Sequence, residues 1–382
     1  MTVPHTKNQM LGAILTGAAD SLDITPQLRA AAVARYNDLA AFLASFADER
    51  GGAGWNIYTQ GSFRLGTVTR PVHRTTDYDL DLVCQHNVDY RGISRIELKD
   101  LVGDALAKYR ADRGADTMEL EPGKRCWTLT FDGYHLDILP AVPAEIDDAD
   151  DTAIRITDTT LGRWQISDPI AFSNWFRECA IDEYRSARIA MAAERGSSVE
   201  AVPDRDLKTN LQRIVQIAKM HRDQYFGDGP TRPPSVVLTT LIARSYQPGG
   251  DIVESLFGVV RRMHLHLEQR QDGLWVPNPL CDEENLADRW GATNDAEKAF
   301  ALWLGRIDSD LRGATAQTGV EMVTKRLGSA FGVAPITAGT SMLGEEFRAT
   351  RERGQLLVSG TTAALGTTAG RTVPQHNFYG DA

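Results

Sequence analysis

The stretch 61-GSFRLGTVTRPVHRTTDYDLDLVC-84 sets three aspartates, Asp77, Asp79 and Asp81, directly ahead of an apolar run. Acids are poor strand formers, and like charges crowded into a half-buried strand repel one another. Side chains two apart on a strand point to the same face. Whichever overlapping pair is used, Asp77 with Asp79 or Asp79 with Asp81, two carboxylates project together. Such a pair is relieved by a cation between its oxygens, and hard oxygen ligands suit Mg²⁺, which takes one or two carboxylates plus substrate phosphates.

Two neighbouring stretches extend the pattern. Upstream, WNIYTQ (55–60) alternates as a short strand and runs into Gly61-Ser62, a turn able to offer backbone N–H groups and a hydroxyl to a phosphate. Downstream, RCWTLTFDGYHLDILPAV (125–142) is the clearest β signal in the chain, two alternating runs around Asp132-Gly133, a dipeptide favoured by type I′ hairpin turns. Leu136 and Ile138 are expected to face a core, leaving His135, Asp137 and Leu139 on the other face. An acid inside such an apolar run needs a partner.

The ordered set of apolar strand, Gly-Ser turn, strand with paired aspartates and later strand with one aspartate resembles the nucleotidyltransferase superfamily that includes DNA polymerase β. The wording QGSFRLGTVTRP…DYDLDLVC, with HLDILPAVP for the third acid, resembles more narrowly the bacterial CD-NTases, the cGAS/DncV-like enzymes of CBASS antiphage defence. SDPIAFSNWF and LKTNLQRIVQIAKMHRDQYF…PPSVVLTTL resemble the helical lobe of the same enzymes, so the likeness runs over roughly residues 20–330. The superfamily register selects the pair immediately before LVC, so Asp79 and Asp81 are assigned and Asp77 becomes a neighbour.

The resemblance implies an α+β fold: a polymerase β-like catalytic lobe with a mixed sheet (1–165), a helical C-terminal lobe (166–355) and a flexible tail (356–382), with the active site in the cleft between the lobes. It implies a cyclic oligonucleotide synthase that joins NTPs into a cyclic di- or trinucleotide for antiphage signalling. Two Mg²⁺ ions, or Mn²⁺ in their place, would be held by Asp79, Asp81 and Asp137, with Asp137 on the acceptor side. Gln60, Gly61, Ser62 and Arg64 are the expected nucleotide contacts at the turn. On the helix LQRIVQIAKMHRDQYF the buried stripe is Leu211, Ile214, Val215 and Ala218; Arg222 falls inside it and Lys219 at its border. Those two cations, with Ser235 of PPSVV, are expected to meet phosphate across the cleft, snorkelling being the other reading of the pair. A same-fold transferase acting on an RNA end or a small-molecule acceptor, and a catalytically silent nucleotide sensor, are the competing readings.

Composition narrows the partners. A formal net charge of −10 offers no basic footprint for duplex nucleic acid, so a DNA activator is not expected and CBASS accessory proteins are. The cysteines, Cys84, Cys126, Cys179 and Cys281, lie far apart and form no metal or disulfide framework. His264 and His266 stand two apart on a helical segment, on different faces, and Trp127 and Trp164 are expected in the core. No signal sequence or apolar run near the ~20 residues of a membrane span is present, which predicts a cytoplasmic protein. The acidic AEIDDADDTA (144–153) reads as a solvated linker. The closing TTAALGTTAGRTVPQHNFYGDA reads as a tail that conjugation machinery could join to a target through Ala382.

Overall fold

The computed structural model describes residues 6–49, 54–70, 78–114, 117–146, 152–159, 162–195, 208–271, 273–291, 295–358, 365–366 and 370–374. Two helices open the chain, α1 (Lys7–Leu22) and α2 (Pro26–Glu49). Then come β1 (Trp55–Thr59), the short α3 (Gly61–Leu65), β2 (Tyr78–His86) and α4 (Arg95–Arg113), followed by β3 (Glu119–Pro122), β4 (Trp127–Phe131), β5 (Tyr134–Pro143), β6 (Ile154–Ile156) and β7 (Gln165–Ser167). These strands form one seven-stranded mixed sheet in the order β1-β2-β5-β4-β3, with β6 on the far end of β5 and β7 beyond it.

The central pair, β2 and β5, runs parallel; every other pair in this sheet is antiparallel. Strand alternation sorts the faces. Leu80, Leu82, Leu136 and Ile138 enter a core shared with α2 and α4, including Leu39, Leu43, Val102 and Leu106. Thr25 caps α2 by accepting from the Leu28 N–H at 3.2 Å, and Ser94 with Glu97 forms a capping box on α4. At the β4–β5 turn only Gly133 has positive φ (84°), not Asp132, so the turn is not the type I′ expected of Asp-Gly.

The helical region comprises α5 (Pro169–Glu178), α6 (Ile181–Arg195), α7 (Asn210–Phe226), α8 (Ser235–Ser245) and α9 (Ile252–Arg262), then α10 (Asp288–Gly291), α11 (Ala296–Ala316), α12 (Val320–Phe331) and α13 (Val333–Glu352). It also carries two small hairpins that helical periodicity gives no hint of: β8 (Glu268–Arg270) with β9 (Gly273–Trp275), and β10 (Pro277–Asn278) with β11 (Cys281–Asn285). Although α1 precedes the sheet in the chain, Leu11, Ile14, Leu15 and Ala18 enter the core of the helical side. Gly17 of α1 lies against Gly339 of α13 so closely that a Cβ on Gly17 would sit 2.9 Å from the Gly339 Cα.

Beyond residue 355 the flexible-tail expectation is modified. Leu357–Val358 pairs with Leu365–Gly366 and with Arg371–Thr372 as β12, β13 and β14, anchored by the buried Leu356, whose carbonyl accepts from Val373 N–H at 2.8 Å. Ala382, Asp77, Pro71 and residues 147–151 of the acidic stretch lie outside the described residues. Among the described residues no helix is long and apolar enough to cross a membrane, and all four cysteines are free.

Candidate active site

Parallel pairing of β2 with β5 sets Asp81 directly opposite Asp137 and Asp79 opposite His135. The acids therefore gather on the face of the sheet turned away from the α2–α4 core. Asp79 is exposed, while Asp81 and Asp137 are partly buried. The Asp81 carboxyl is pushed up to about 7, first by burial, then by the charges of Asp137 and Asp79, with Lys219 partly offsetting them. Asp137 Oδ1 accepts from Thr128 Oγ1 at 2.6 Å across the β4–β5 ladder.

The turn before β2 is built around the same acid. Gln60 donates its backbone N–H to the Asp81 carbonyl at 2.8 Å. Gly61 takes a φ of 57°, and a Cβ there would stand 2.2 Å from Asp81 Oδ2. Only glycine fits, on both conformational and steric grounds. The Ser62 carbonyl accepts from Thr67 N–H at 2.9 Å, closing the turn. Arg64 is committed inside the protein: its Nε donates to Ser173 Oγ of α5 at 2.9 Å and its Nη1 to the Thr59 carbonyl at 3.3 Å.

Opposite lies α7, and its polar face does something that periodicity cannot show. Gln212 Nε2 donates to the Leu65 carbonyl (2.9 Å), Lys208 Nζ to Gly66 (2.6 Å), Lys219 Nζ to Thr67 (2.9 Å) and Gln216 Nε2 to Val68 (2.9 Å). Side chains on and just before one helix thus clamp four successive carbonyls leaving the Gly-Ser turn. Burial, and Arg222 next, pull Lys219 down to about 7. Arg222, 3 % exposed, donates to Asp223 Oδ1 (2.8 Å), the Pro233 carbonyl (3.2 Å) and Ser235 Oγ (3.1 Å), and Arg232 Nη2 shares Asp223 Oδ1 at 2.7 Å. Burial lowers the Arg222 pKa as well.

Gln60, Gly61, Ser62, Arg64, Asp79, Asp81, Asp137, Lys219, Arg222 and Ser235 all line one cleft cavity of about 590 Å³. So do Arg125, Asp168, Asp223, Arg232, Asn278 and Glu284, which sequence reasoning passed over. Asp168 had a visible signal: it stands before Pro169 at a helix start and caps α5, its Oδ1 accepting from Ala171 N–H at 2.9 Å. Asp223 lies on α7 beside Arg222, and the rest come from loops and a short hairpin with no periodicity to mark them. Among the described residues no three His, Cys, Asp or Glu side chains form a ready-made metal cage. The donor set is nonetheless all hard carboxylate oxygen, with mutual repulsion centred on Asp81, and it suits a divalent cation completed by substrate phosphates.

The fold is that of polymerase β-like nucleotidyltransferases. The nucleotidyltransferase domain of the family described as cyclic GMP-AMP synthase DncV-like matches residues 56–140. A c-di-GMP synthase from Roseivirga ehrenbergii is 27% identical over 352 residues, 91% of each chain. Cyclic dinucleotide synthase CdnG from Bradyrhizobium diazoefficiens is 26% identical over 350 residues, 86% of this chain and 82% of that one. The structure of that CdnG in complex with GTP aligns with a TM-score of 0.68 at 22% identity, covering 87% of this chain and 99% of that one. Vibrio cholerae DncV in complex with nonhydrolyzable GTP aligns with a TM-score of 0.56 at 20% identity, over 75% and 71% of the two chains. Over most of its length this chain is thus similar to bacterial CD-NTases, and its nucleotidyltransferase domain matches the DncV-like model.

Proposed function

We propose that this protein is a cyclic dinucleotide synthase, a nucleotidyltransferase that joins two NTPs through successive phosphodiester bonds and closes the ring in the cleft. The observation that carries the reading is the register pairing of Asp81 with Asp137 beneath Gly61-Ser62, faced by Lys219 and Arg222 across the cavity. The named synthase activities of the Roseivirga and Bradyrhizobium relatives, and the GTP of the CdnG complex, support GTP as a substrate.

Enzymes of this family generally use divalent metal ions. Asp79 and Asp81 are the residues that would hold two Mg²⁺, with Asp137 completing the acceptor side; ions so placed supply charge neutralisation of the triphosphate and acidify the attacking hydroxyl. Asp137, with Oδ1 engaged by Thr128, leaves Oδ2 for the acceptor ribose hydroxyl and its proton. Gly61 and Ser62 meet the donor phosphates, and Gln60 lies at the same edge. Lys219, Arg222 and Ser235 supply cationic and hydrogen-bonding groups from the helical side. Cytoplasmic action, control by accessory proteins of a CBASS operon and conjugation through Ala382 complete the reading.

Incubation of purified protein with labelled NTPs and Mg²⁺ tests it. The expected outcome is a phosphatase-resistant cyclic dinucleotide containing guanosine. Linear or acceptor-linked products would instead support a transferase acting on RNA or a small molecule, and no product would support a silent sensor.

A further inference from the structure

The hairpin β10–β11 reaches from the helical side into the wall of the cleft, and its side chains are held unusually firmly for so short an element. Asn285 locks the base: its Oδ1 accepts from Val276 and Ala287 N–H at 3.0 and 2.9 Å, and its Nδ2 donates to the Leu274 carbonyl at 2.9 Å. Neighbouring strand residues face opposite ways, so Glu284 is directed into the cavity, which it lines together with Asn278 and Leu286. The orientation of Asn278 follows from its partners. Its Oδ1 accepts from Leu280 N–H at 2.9 Å, and its Nδ2 donates to Glu284 Oε2 at 2.7 Å. Glu284 Oε1 has no protein hydrogen bond among the described residues.

Arg125, on the sheet side of the same cavity, is near enough for its charge to act on Glu284. It is anchored from behind, with Nε donating to the buried Asp158 Oδ2 at 2.8 Å. Burial raises the Glu284 pKa, so its carboxylate sits where a hydrogen-bond donor would be welcome. One acceptor and two donors, from the two sides of the cleft, therefore line the same cavity.

We propose that Glu284, Asn278 and Arg125 read the base of a nucleotide in the cleft and select guanine over adenine. Guanine presents two adjacent donors, N1–H and the N2 amino group, beside the acceptor O6. Glu284 accepts the first two, while the Asn278 amide or the Arg125 guanidinium donates to O6. Adenine reverses the polarity: its N1 lone pair would meet the Glu284 carboxylate, and its N6 amino group would meet the two donors. A site built to hydrogen-bond one edge rejects the other because buried polar groups are left unpaired. The inference rests on the reading of the cleft as a nucleotide site, and deepens it by naming the base.

The test uses the full chain, with GTP and ATP binding measured by calorimetry in Ca²⁺ and products of an equimolar NTP mixture identified by mass spectrometry. The unsubstituted protein is expected to bind GTP more tightly than ATP. Glu284→Gln should lower that preference about 10- to 100-fold, the worth of one bidentate base contact, with ATP affinity held or improved. Asn278→Asp, which keeps size but removes the donor, should lower it as well and serves if Glu284→Gln folds poorly. No preference in the unsubstituted protein, an unchanged ratio in both variants, or equal weakening of both nucleotides, as a mere contact between the lobes would give, overturns the proposal. Retained GTP preference without phosphodiester formation would leave base reading standing and remove the synthase reading; dinucleotide formation without preference would do the reverse.

Discussion

The two walls of the cleft carry opposite charge and are built on opposite plans. On the sheet, Asp79, Asp81 and Asp137 are gathered by strand register; Thr128 donates to Asp137, and the charge of Lys219 partly offsets the repulsion on Asp81. On α7, the buried cations are already committed: Lys219 to the Thr67 carbonyl, and Arg222 to Asp223, Pro233 and Ser235. The repulsion centred on Asp81 would be relieved by a cation, whereas the buried cations of α7 already have protein partners. Acid substitutions should therefore damage chemistry more than stability, and substitutions on α7 should damage both.

The largest effect belongs to the acidic wall. Asp79→Ala with Asp81→Ala is expected to lower the rate of phosphodiester formation roughly 10³-fold or more, as loss of a metal position does, while the melting temperature holds or rises. Initial rates and calorimetry on the same preparation check both halves. Persistent product formation would mean that the paired acids are not the metal platform.

On the basic wall, Lys219→Met sharpens the question of what the buried lysine does. If Lys219 serves only as a clamp, the variant loses stability and keeps its KM for NTP. If it also meets phosphate, KM rises about 10- to 150-fold, in line with the roughly 1.5–3 kcal/mol of a charged hydrogen bond. The second outcome is expected, because Lys219 acts electrostatically on Asp81 as well as bonding Thr67.

Gln216→Leu isolates the clamp from the charge. It strands the buried Val68 carbonyl, at a cost of about 1–3 kcal/mol, so the melting temperature should fall by several degrees. Activity should fall only severalfold, because Gln212, Lys208 and Lys219 still hold the adjoining carbonyls.

How far each wall could be read from the sequence follows from the same contrast. Asp79, Asp81 and Asp137 were legible because strand period two and an apolar surround announce where a carboxylate points. The Gly61 requirement was half-legible: glycine marks a turn, but the approach of Asp81 Oδ2 belongs to the folded geometry. The α7 clamp was not legible, since its partners are backbone carbonyls, which carry no residue identity, about 140 to 150 positions away. Lys219 and Arg222 stood out as cations in an apolar stripe without revealing what satisfied them. Nor could Asn278 and Glu284 be found, because PNPLCDEEN (277–285) has neither strand alternation nor an apolar face. Linear order misplaced α1 for a similar reason: its packing on α13 joins opposite ends of the chain.

The smallest effect is a pH dependence with opposite signs on the two walls. The folded-state pKa of Asp81 lies above its unfolded value, so its contribution favours the fold at low pH and is lost as pH rises from about 4 through about 7. Lys219 is shifted the other way: its contribution is present above about pH 10.4 and lost as pH falls through about 7. Near neutrality both groups therefore oppose folding, each in its charged form, and removing Asp81 should relieve the part that its own burial and its acidic neighbours impose. In the absence of divalent ions, Asp81→Asn is expected to melt about 2–4 °C above the unsubstituted protein at pH 8, with the gap narrowing at pH 5. Adding Mg²⁺ and a nonhydrolysable NTP should raise the melting temperature of the unsubstituted protein and leave that of Asp81→Asn nearly unmoved. A gap that persists at pH 5, or an equal response to Mg²⁺ and nucleotide, would place the repulsion elsewhere and erase the contrast between the two walls.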